Sequence, residues 1–286
     1  MSLASGHMSE GGSEPAGSPA QDATGDTGGP APLAFEAVVF DMDGVLTQTA
    51  TVHAEAWKQL FDEYLATRSA RLGEPFSEFT RERDYLAYVD GRPRYRGVET
   101  FLRSRKIVLP YGTPADQPGT ETICGLGNRK NALFNEIVRT RGVRVYDSTV
   151  ALIITLRRRG VCVGLATSSR NATDILELTG TRFLFGAVVD GLVSEQLGLR
   201  GKPEPDIFHE ACAGLRVHRS RAVVVEDAAS GVEAGARGGF ALTIGVAREG
   251  NAAELVARGA DIAVDDLSRI DVDAINRLVI KKKAGV

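Results

Sequence analysis

Five short β-branched runs punctuate the chain: "FEAVVF" at 35–40, "GVCVGLA" at 160–166, "GAVVD" at 186–190, "RAVVVE" at 221–226 and "FALTIGV" at 240–246. Each is apolar without polar alternation, so each must be buried on both faces. Helical patterns at 206–214, 229–238 and 251–258 separate the later ones. Strands that are buried on both sides and joined through helices form a parallel sheet with covered faces. The expected class is therefore α/β, with a Rossmann-like parallel-sheet core.

The alternation breaks between residues 50 and 140. That interval is helical in period, with "HAEAWKQLFDEYL" its clearest amphipathic segment. Two stretches dense in Gly and Pro, 90–97 and 109–119, read as loops between four or five helices. The expected organisation is a core of residues 33–50 and 143–286, carrying an inserted α-helical domain at 51–142. Residues 1–30 are rich in Gly, Ser, Pro and Asp and hold no aromatic residue, Val or Ile, so they cannot offset the entropy of ordering. A disordered arm over 1–32 follows, and the opening "MSLASGHM" reads as a tag remnant.

Composition removes several functions. A net charge of −3 with no basic stretch before the terminal KKK at 281–283 argues against nucleic acid, and that triplet reads as a solvated tail. No apolar run reaches the roughly 20 residues of a membrane span. Cys124, Cys162 and Cys212 lack metal-type spacing, and two of them lie in apolar segments, which suits small buried thiols in a reducing compartment. A cytoplasmic protein without disulfides, membrane contact or nucleic-acid partner is expected, acting as a monomer.

Four segments place chemistry at strand ends. In "AVVFDMDGVL", Asp41 and Asp43 stand at i and i+2, so a strand aims both at one point past its carboxyl end. Open α/β sheets bind ligands at that edge. Two adjacent carboxylates stay ionised only beside a cation, and a hard divalent ion such as Mg2+ fits. A calcium loop is disfavoured because the glycine follows the second Asp directly and a buried strand precedes the first. In "GLATSSRN", Thr167 ends a strand and Ser168, Ser169 and Asn171 open a helix, which suits either an anion or simple capping. In "GKPEPDIF", Lys202 precedes a Pro-bounded helix start. It is not a P-loop lysine, because Gln196 occupies the required glycine and Pro203 replaces the Ser or Thr. In "AVVVEDAASG", Glu226 and Asp227 end another strand, so two acidic pairs on parallel strands meet at one edge and could complete an octahedral Mg2+ site.

In this order, "DMDGV", the Thr167 strand end, "KPEPDIF" and "EDAASG" resemble the four motifs of the haloacid dehalogenase superfamily over residues 36 to about 250. "FDMDGVLTQTATVHAEAW", "LATSSRN" and "KPEPDIF" are most similar to its β-phosphoglucomutase-like branch, whose helical cap follows the first motif as 51–142 does here. The resemblance implies Asp41 as the nucleophile, forming an aspartyl-phosphate, and Asp43 as general acid and base, its main-chain carbonyl also on the metal. It implies Glu226 and Asp227 as metal-holding acids beside them, and Thr167 and Lys202 as holders of the phosphoryl oxygens. His53 and Lys130 match the cap residues that couple closure to substrate. Thr49, Trp57, Arg96, Gly97, Ser168, Ser169, Arg170 and Asn171 fall among the implied substrate-binding positions, Trp57 being either core or the floor of a sugar site.

One departure stands out. The family mutase carries an arginine shortly after its Gly-Val, where this chain has Glu99 and Thr100. A second substrate phosphate would then fall to Arg92, Arg94 or Arg96. His209 and His218 have no partner motif and are read as structural or surface residues. The implied activity is Mg2+-dependent interconversion of β-glucose 1-phosphate and glucose 6-phosphate through a bisphosphate, with a sugar-phosphate phosphatase as the alternative. A signalling receiver is about one small domain and needs no helical insertion, and a silent sugar-binding module would not need every acid of the machinery.

Overall fold

Four residues, Ala37–Phe40 (β1), form the middle of the sheet because nothing in them tolerates water: all four are fully buried. A computed structural model of the chain describes residues 32–285, so the expected arm, Pro32 apart, lies outside the described residues. After β1 come α1 (Ala50–Leu72), a π-helical turn at Arg81–Tyr85, α2 (Leu86–Tyr88), α3 (Arg94–Ser104) and α4 (Ile123–Arg141). Then α5 (Asp147–Arg158) leads to β2 (Cys162–Ala166), and α6 (Ala172–Leu178) to β3 (Ala187–Val189). Next, α7 (Gly191–Gln196) and α8 (Asp206–Leu215) lead to β4 (Ala222–Glu226), and α9 (Ala229–Arg237) to β5 (Leu242–Val246). Finally, α10 (Ala252–Ala257) leads to β6 (Ile262–Val264) and α11 (Val272–Ala284).

All pairings are parallel, in the order β3-β2-β1-β4-β5-β6. Phe40 lies level with Leu165 on one side and Val225 on the other. That register brings the residues after all three strands to one edge, where the chain's winding changes direction beside β1. Val38 and Phe40 face one core with Leu165 and Val225, covered by Leu152, Ile153 and Leu156 of α5 and Ile275 and Val279 of α11. Ala37 and Val39 face the other, against Ile207 and Phe208 of α8. The α/β class is as expected.

The segment between β1 and α5 is helical. On α1, Ala56, Trp57, Leu60, Phe61 and Leu65 make one buried stripe, and the helix stops at Gly73, whose φ of 67° is left-handed. Phe61 is the hub of an aromatic cluster, with ring centroids 5.3 Å from Trp57, 5.0 Å from Phe79 and 4.1 Å from Phe101.

Four expectations need correction. The break at 90–97 is shorter, because Pro93 lets α3 begin at Arg94. Lys281, Lys282 and Lys283 are the last turn of α11 and not a tail: Lys282 pairs with Asp261 at 2.6 Å and Lys283 donates to the Ala34 carbonyl at 2.8 Å. Cys124 and Cys212 are buried, but Cys162 begins β2 and is exposed. The short β6 is only partly buried, so its apolar run is too brief to stand out by pattern. Among the described residues no helix is long and apolar enough to cross a membrane.

Phe61→Ala should destabilise the protein by about 3–5 kcal/mol, the usual cost of an aromatic cavity. Urea unfolding measures it, and a loss under about 1 kcal/mol would mean that the cluster does not hold the helices between β1 and α5 together.

Candidate active site

The end of β1 carries a buried charge arrangement built from three elements. Lys202, in the loop before α8, donates from Nζ to Asp41 Oδ1 at 2.5 Å and also to Glu226 Oε1. All three side chains are almost wholly removed from water. Glu226 accepts with its other oxygen from the Ala228 N–H at 2.7 Å, which fixes the turn into α9. Burial works against the Lys202 charge, but the Asp41 and Glu226 carboxylates outweigh it and raise the lysine above its ordinary range. Burial, with Glu226 and Asp43 adding to it against the pull of Lys202, raises Asp41 well above the usual carboxylate range.

Asp43 is seated differently. Thr49 donates to its Oδ1, and Thr47 in turn lies 2.6 Å from the Thr49 hydroxyl and reaches the Met42 carbonyl at 3.1 Å. His53 Nε2 stands 3.3 Å from Asp43 Oδ1 while Lys130 Nζ donates to His53 Nδ1. Burial, and next the Lys130 charge, lower His53 against the pull of Asp43. Burial pushes Asp43 upward, yet His53 and Thr49 overcome it and hold the carboxyl below the ordinary range. An oriented, ionised carboxylate is thus in place to take a proton. Thr167 Oγ1 lies 3.5 Å from Asp43 Oδ2.

Asp227 has no donor among the described residues. Burial first, then Glu226 and Asp41, raise it well above the normal carboxylate range. It packs against Gly44, whose φ is 85° and where a Cβ would fall 1.8 Å from Asp227 Oδ2. Only glycine tolerates both conditions. Among the described residues no three His, Cys, Asp or Glu side chains converge tightly enough to form a ready-made metal centre. The available set is the second oxygen of Asp41, the free carboxylate of Asp227 and main-chain oxygen at Asp43. Oxygen-only donors with uncompensated negative charge fit a hard divalent cation. Glu226 departs from the expected ligand role, because both its oxygens already have donors.

An open cleft gathers these groups. Asp41, Asp43, His53, Trp57, Lys130, Thr167, Ser168, Ser169, Arg170, Asn171, Lys202, Glu226 and Asp227 all line it. Trp57 is both core and wall, being 4% exposed. Three expected residues are elsewhere. Thr49 is fully buried behind Asp43; Arg96 is exposed and ion-paired to Glu99 at 2.5 Å; Gly97 is buried against the Trp57 ring. The helical turn that starts α3 at Arg94 points this pair away from the cleft. In their stead Tyr85, Asp90, Arg92 and Arg94 reach it. Arg92 and Arg94 were among the expected phosphate holders; the "DGRPR" run was the available signal for Asp90, and none marked Tyr85.

The opening of α6 is less free for an anion than its composition suggests. Ser169 N–H donates to Thr167 Oγ1 at 3.1 Å and Asn171 N–H to Ser169 Oγ at 3.3 Å, while Arg170 pairs with Glu195 at 2.9 Å. Ser168 Oγ instead donates to the Gly91 carbonyl at 3.0 Å, and Ser230 Oγ to the Asp90 carbonyl at 3.1 Å. Gly91 has a φ of 65° and a Cβ there would meet Ser230 Oγ at 2.4 Å. The "DGR" loop therefore sits directly on the sheet edge. His209 bonds the Gly238 carbonyl at 2.9 Å, and His218 caps a short turn at the surface.

Residues 35–239 match the family model described as haloacid dehalogenase-like hydrolase. The chain is 43% identical over 242 residues to the β-phosphoglucomutase of Mycobacterium tuberculosis, covering 84% of this chain and 92% of that one. It is 25% identical over 245 residues to a validoxylamine A 7'-phosphate phosphatase of Streptomyces hygroscopicus, covering 82% and 96%. A crystal structure of β-phosphoglucomutase from Clostridium difficile superposes with a TM-score of 0.67 at 20% identity, over 87% of this chain and 99% of that one. The chain belongs to the haloacid dehalogenase-like hydrolase family. Within it the chain falls in the β-phosphoglucomutase-like branch, and it is an enzyme of the phosphotransferase class.

Lys202→Met would leave two buried carboxylates without their cation. Asp41, already raised, would lose the opposing pull of Lys202 and rise further, so the folded state would hold its proton more tightly and stability would fall as pH rises. Urea unfolding of metal-free variant should show a loss of about 3–5 kcal/mol near pH 8 and a smaller one near pH 5. Equal losses at both pH values would contradict the bridging role.

Proposed function

We propose that this protein is a Mg2+-dependent phosphotransferase that interconverts β-glucose 1-phosphate and glucose 6-phosphate through a sugar bisphosphate. Residues 51–142 act as its cap, and the enzyme works as a cytoplasmic monomer. The observation that carries the reading is the pairing of two unlike carboxylates in one cleft. Asp41 has one oxygen tied to Lys202, whereas Asp43 accepts from Thr49 and has His53 3.3 Å away. Similarity to the β-phosphoglucomutase of M. tuberculosis over nearly its whole length supports the same choice.

In this reading Asp41 attacks the phosphoryl group with one carboxylate oxygen, leaving the other for the metal, the bond from phosphorus to the sugar oxygen breaks, and Asp41 becomes an aspartyl-phosphate. Lys202 keeps its contact as charge moves from the carboxylate to the phosphoryl oxygens, and Thr167 adds a hydroxyl donor there. Asp43 takes the proton of the attacking sugar hydroxyl and returns it to the leaving oxygen in the reverse transfer. Lys130 bonds His53, which faces Asp43. Asp41, Asp227 and the Asp43 carbonyl would hold the Mg2+, which supplies positive charge against the developing negative charge. Glu226 holds Lys202 and contributes to the metal only through its field.

Phosphorus NMR with Mg2+, β-glucose 1-phosphate and a trace of glucose 1,6-bisphosphate tests the proposal. Glucose 6-phosphate should accumulate without inorganic phosphate; steady phosphate release would identify instead a phosphatase, the activity in the name of the S. hygroscopicus relative. Asp41→Asn should lower turnover by on the order of 10^4-fold, and appreciable activity in that variant would remove Asp41 as nucleophile. Chelation with EDTA should silence the native enzyme and added Mg2+ restore it; activity that survives chelation refutes the metal requirement.

A further inference from the structure

Lys130, on α4, lines the cleft at 4% exposure and has no carboxylate partner among the described residues. Its Nζ bonds His53 Nδ1 and stands 5.2 Å from the Trp57 ring centre and 4.9 Å from that of Phe134. Other lysines are held as cations. Lys202 lies between Asp41 and Glu226, while Lys58 and Lys282 pair with Asp62 and Asp261 at 2.8 and 2.6 Å. Burial, and next the Arg94 charge, lower Lys130 well below the ordinary lysine range against the pull of Asp43. A desolvated lysine beside another cation is an activated amine, whereas near neutral pH an ordinary lysine is unprotonated in only on the order of one molecule in a thousand.

We infer that Lys130 is a modification site, whose amine condenses reversibly with phosphorylated aldehydes admitted to the cleft. This inference rests on reading the cleft as a sugar-phosphate site, because the phosphoryl group is what brings the carbonyl in. The nitrogen lone pair bonds the aldehyde carbon, both nitrogen protons leave with the carbonyl oxygen as water, and an imine remains. β-Glucose 1-phosphate is spared, since its anomeric carbon is bonded to a phosphate oxygen. The reactive class is phosphorylated aldehydes too short to close into a ring. The imine nitrogen keeps no proton for His53, so the adduct halts turnover until water reverses it.

Borohydride reduction of the native enzyme with pyridoxal 5'-phosphate or erythrose 4-phosphate, followed by peptide mass spectrometry, tests this. The reduced adduct should form on Lys130 at least about tenfold faster than on Lys58, as the larger share of free amine dictates. Glucose 6-phosphate should slow the labelling, and unphosphorylated pyridoxal should label Lys130 more slowly than its phosphate ester. Lys130→Arg, which keeps a cation but cannot form an imine, should lose the adduct at that position while the surface lysines label as before. Labelling of Lys130 no faster than of Lys58 overturns the inference alone, while the NMR assay still reports phosphoryl transfer. Labelling that pyridoxal matches and glucose 6-phosphate does not slow overturns both the recruitment by phosphate and the sugar-phosphate reading of the cleft.

Discussion

A single buried ammonium organises this protein's chemistry. Lys202 lies between Asp41 and Glu226 with almost no exposed surface. Without it the two buried carboxylates would lack a cation where desolvation of a lone charge costs several kcal/mol. The arrangement stands on the sheet: β1 supplies Asp41, β4 ends in Glu226, and the loop before α8 brings the lysine. Each residue is held by a different element, so the site exists only when the whole core is folded.

The sheet register explains why such distant segments meet. Phe40 level with Leu165 and Val225 sends the following residues of three parallel strands to one edge. Gly44 then turns the chain where any side chain would collide with Asp227. The two acids after β4 receive different tasks from their surroundings. Glu226 is saturated by Lys202 and the Ala228 amide, whereas Asp227 is left bare and electrostatically frustrated.

Much of this was legible in the chain. Continuous apolar runs disclosed the central strands, because burial on both faces leaves no polar alternation to blur them. The strand-end acids, Thr167 and Lys202 were readable because local sequence and position in the fold coincide for them. What escaped depended on packing across the fold. The short edge strand β6 carries too little pattern, and α11 ends in lysines whose partners, Asp261 and the Ala34 carbonyl, are distant in sequence. Arg96 and Gly97 were placed at the site by position in a motif, but the helical turn beginning at Arg94 rotates them outward and brings Arg94 inward. Thr49 reaches the chemistry only through Asp43, an indirect role that spacing cannot distinguish from direct contact.

The "DGR" loop rests on the sheet edge through two serine hydroxyls, Ser168 to Gly91 and Ser230 to Asp90. Arg81 and Glu249 join the two parts again near the rim. Neutral hydrogen bonds of this kind contribute about 1 kcal/mol each, and rim ion pairs no more. The loop is thus latched lightly, and a ligand touching both sides would hold it more firmly. In the proposed reaction, an intermediate turning around between two transfers would gain from a latch that is weak when empty and firmer when bridged.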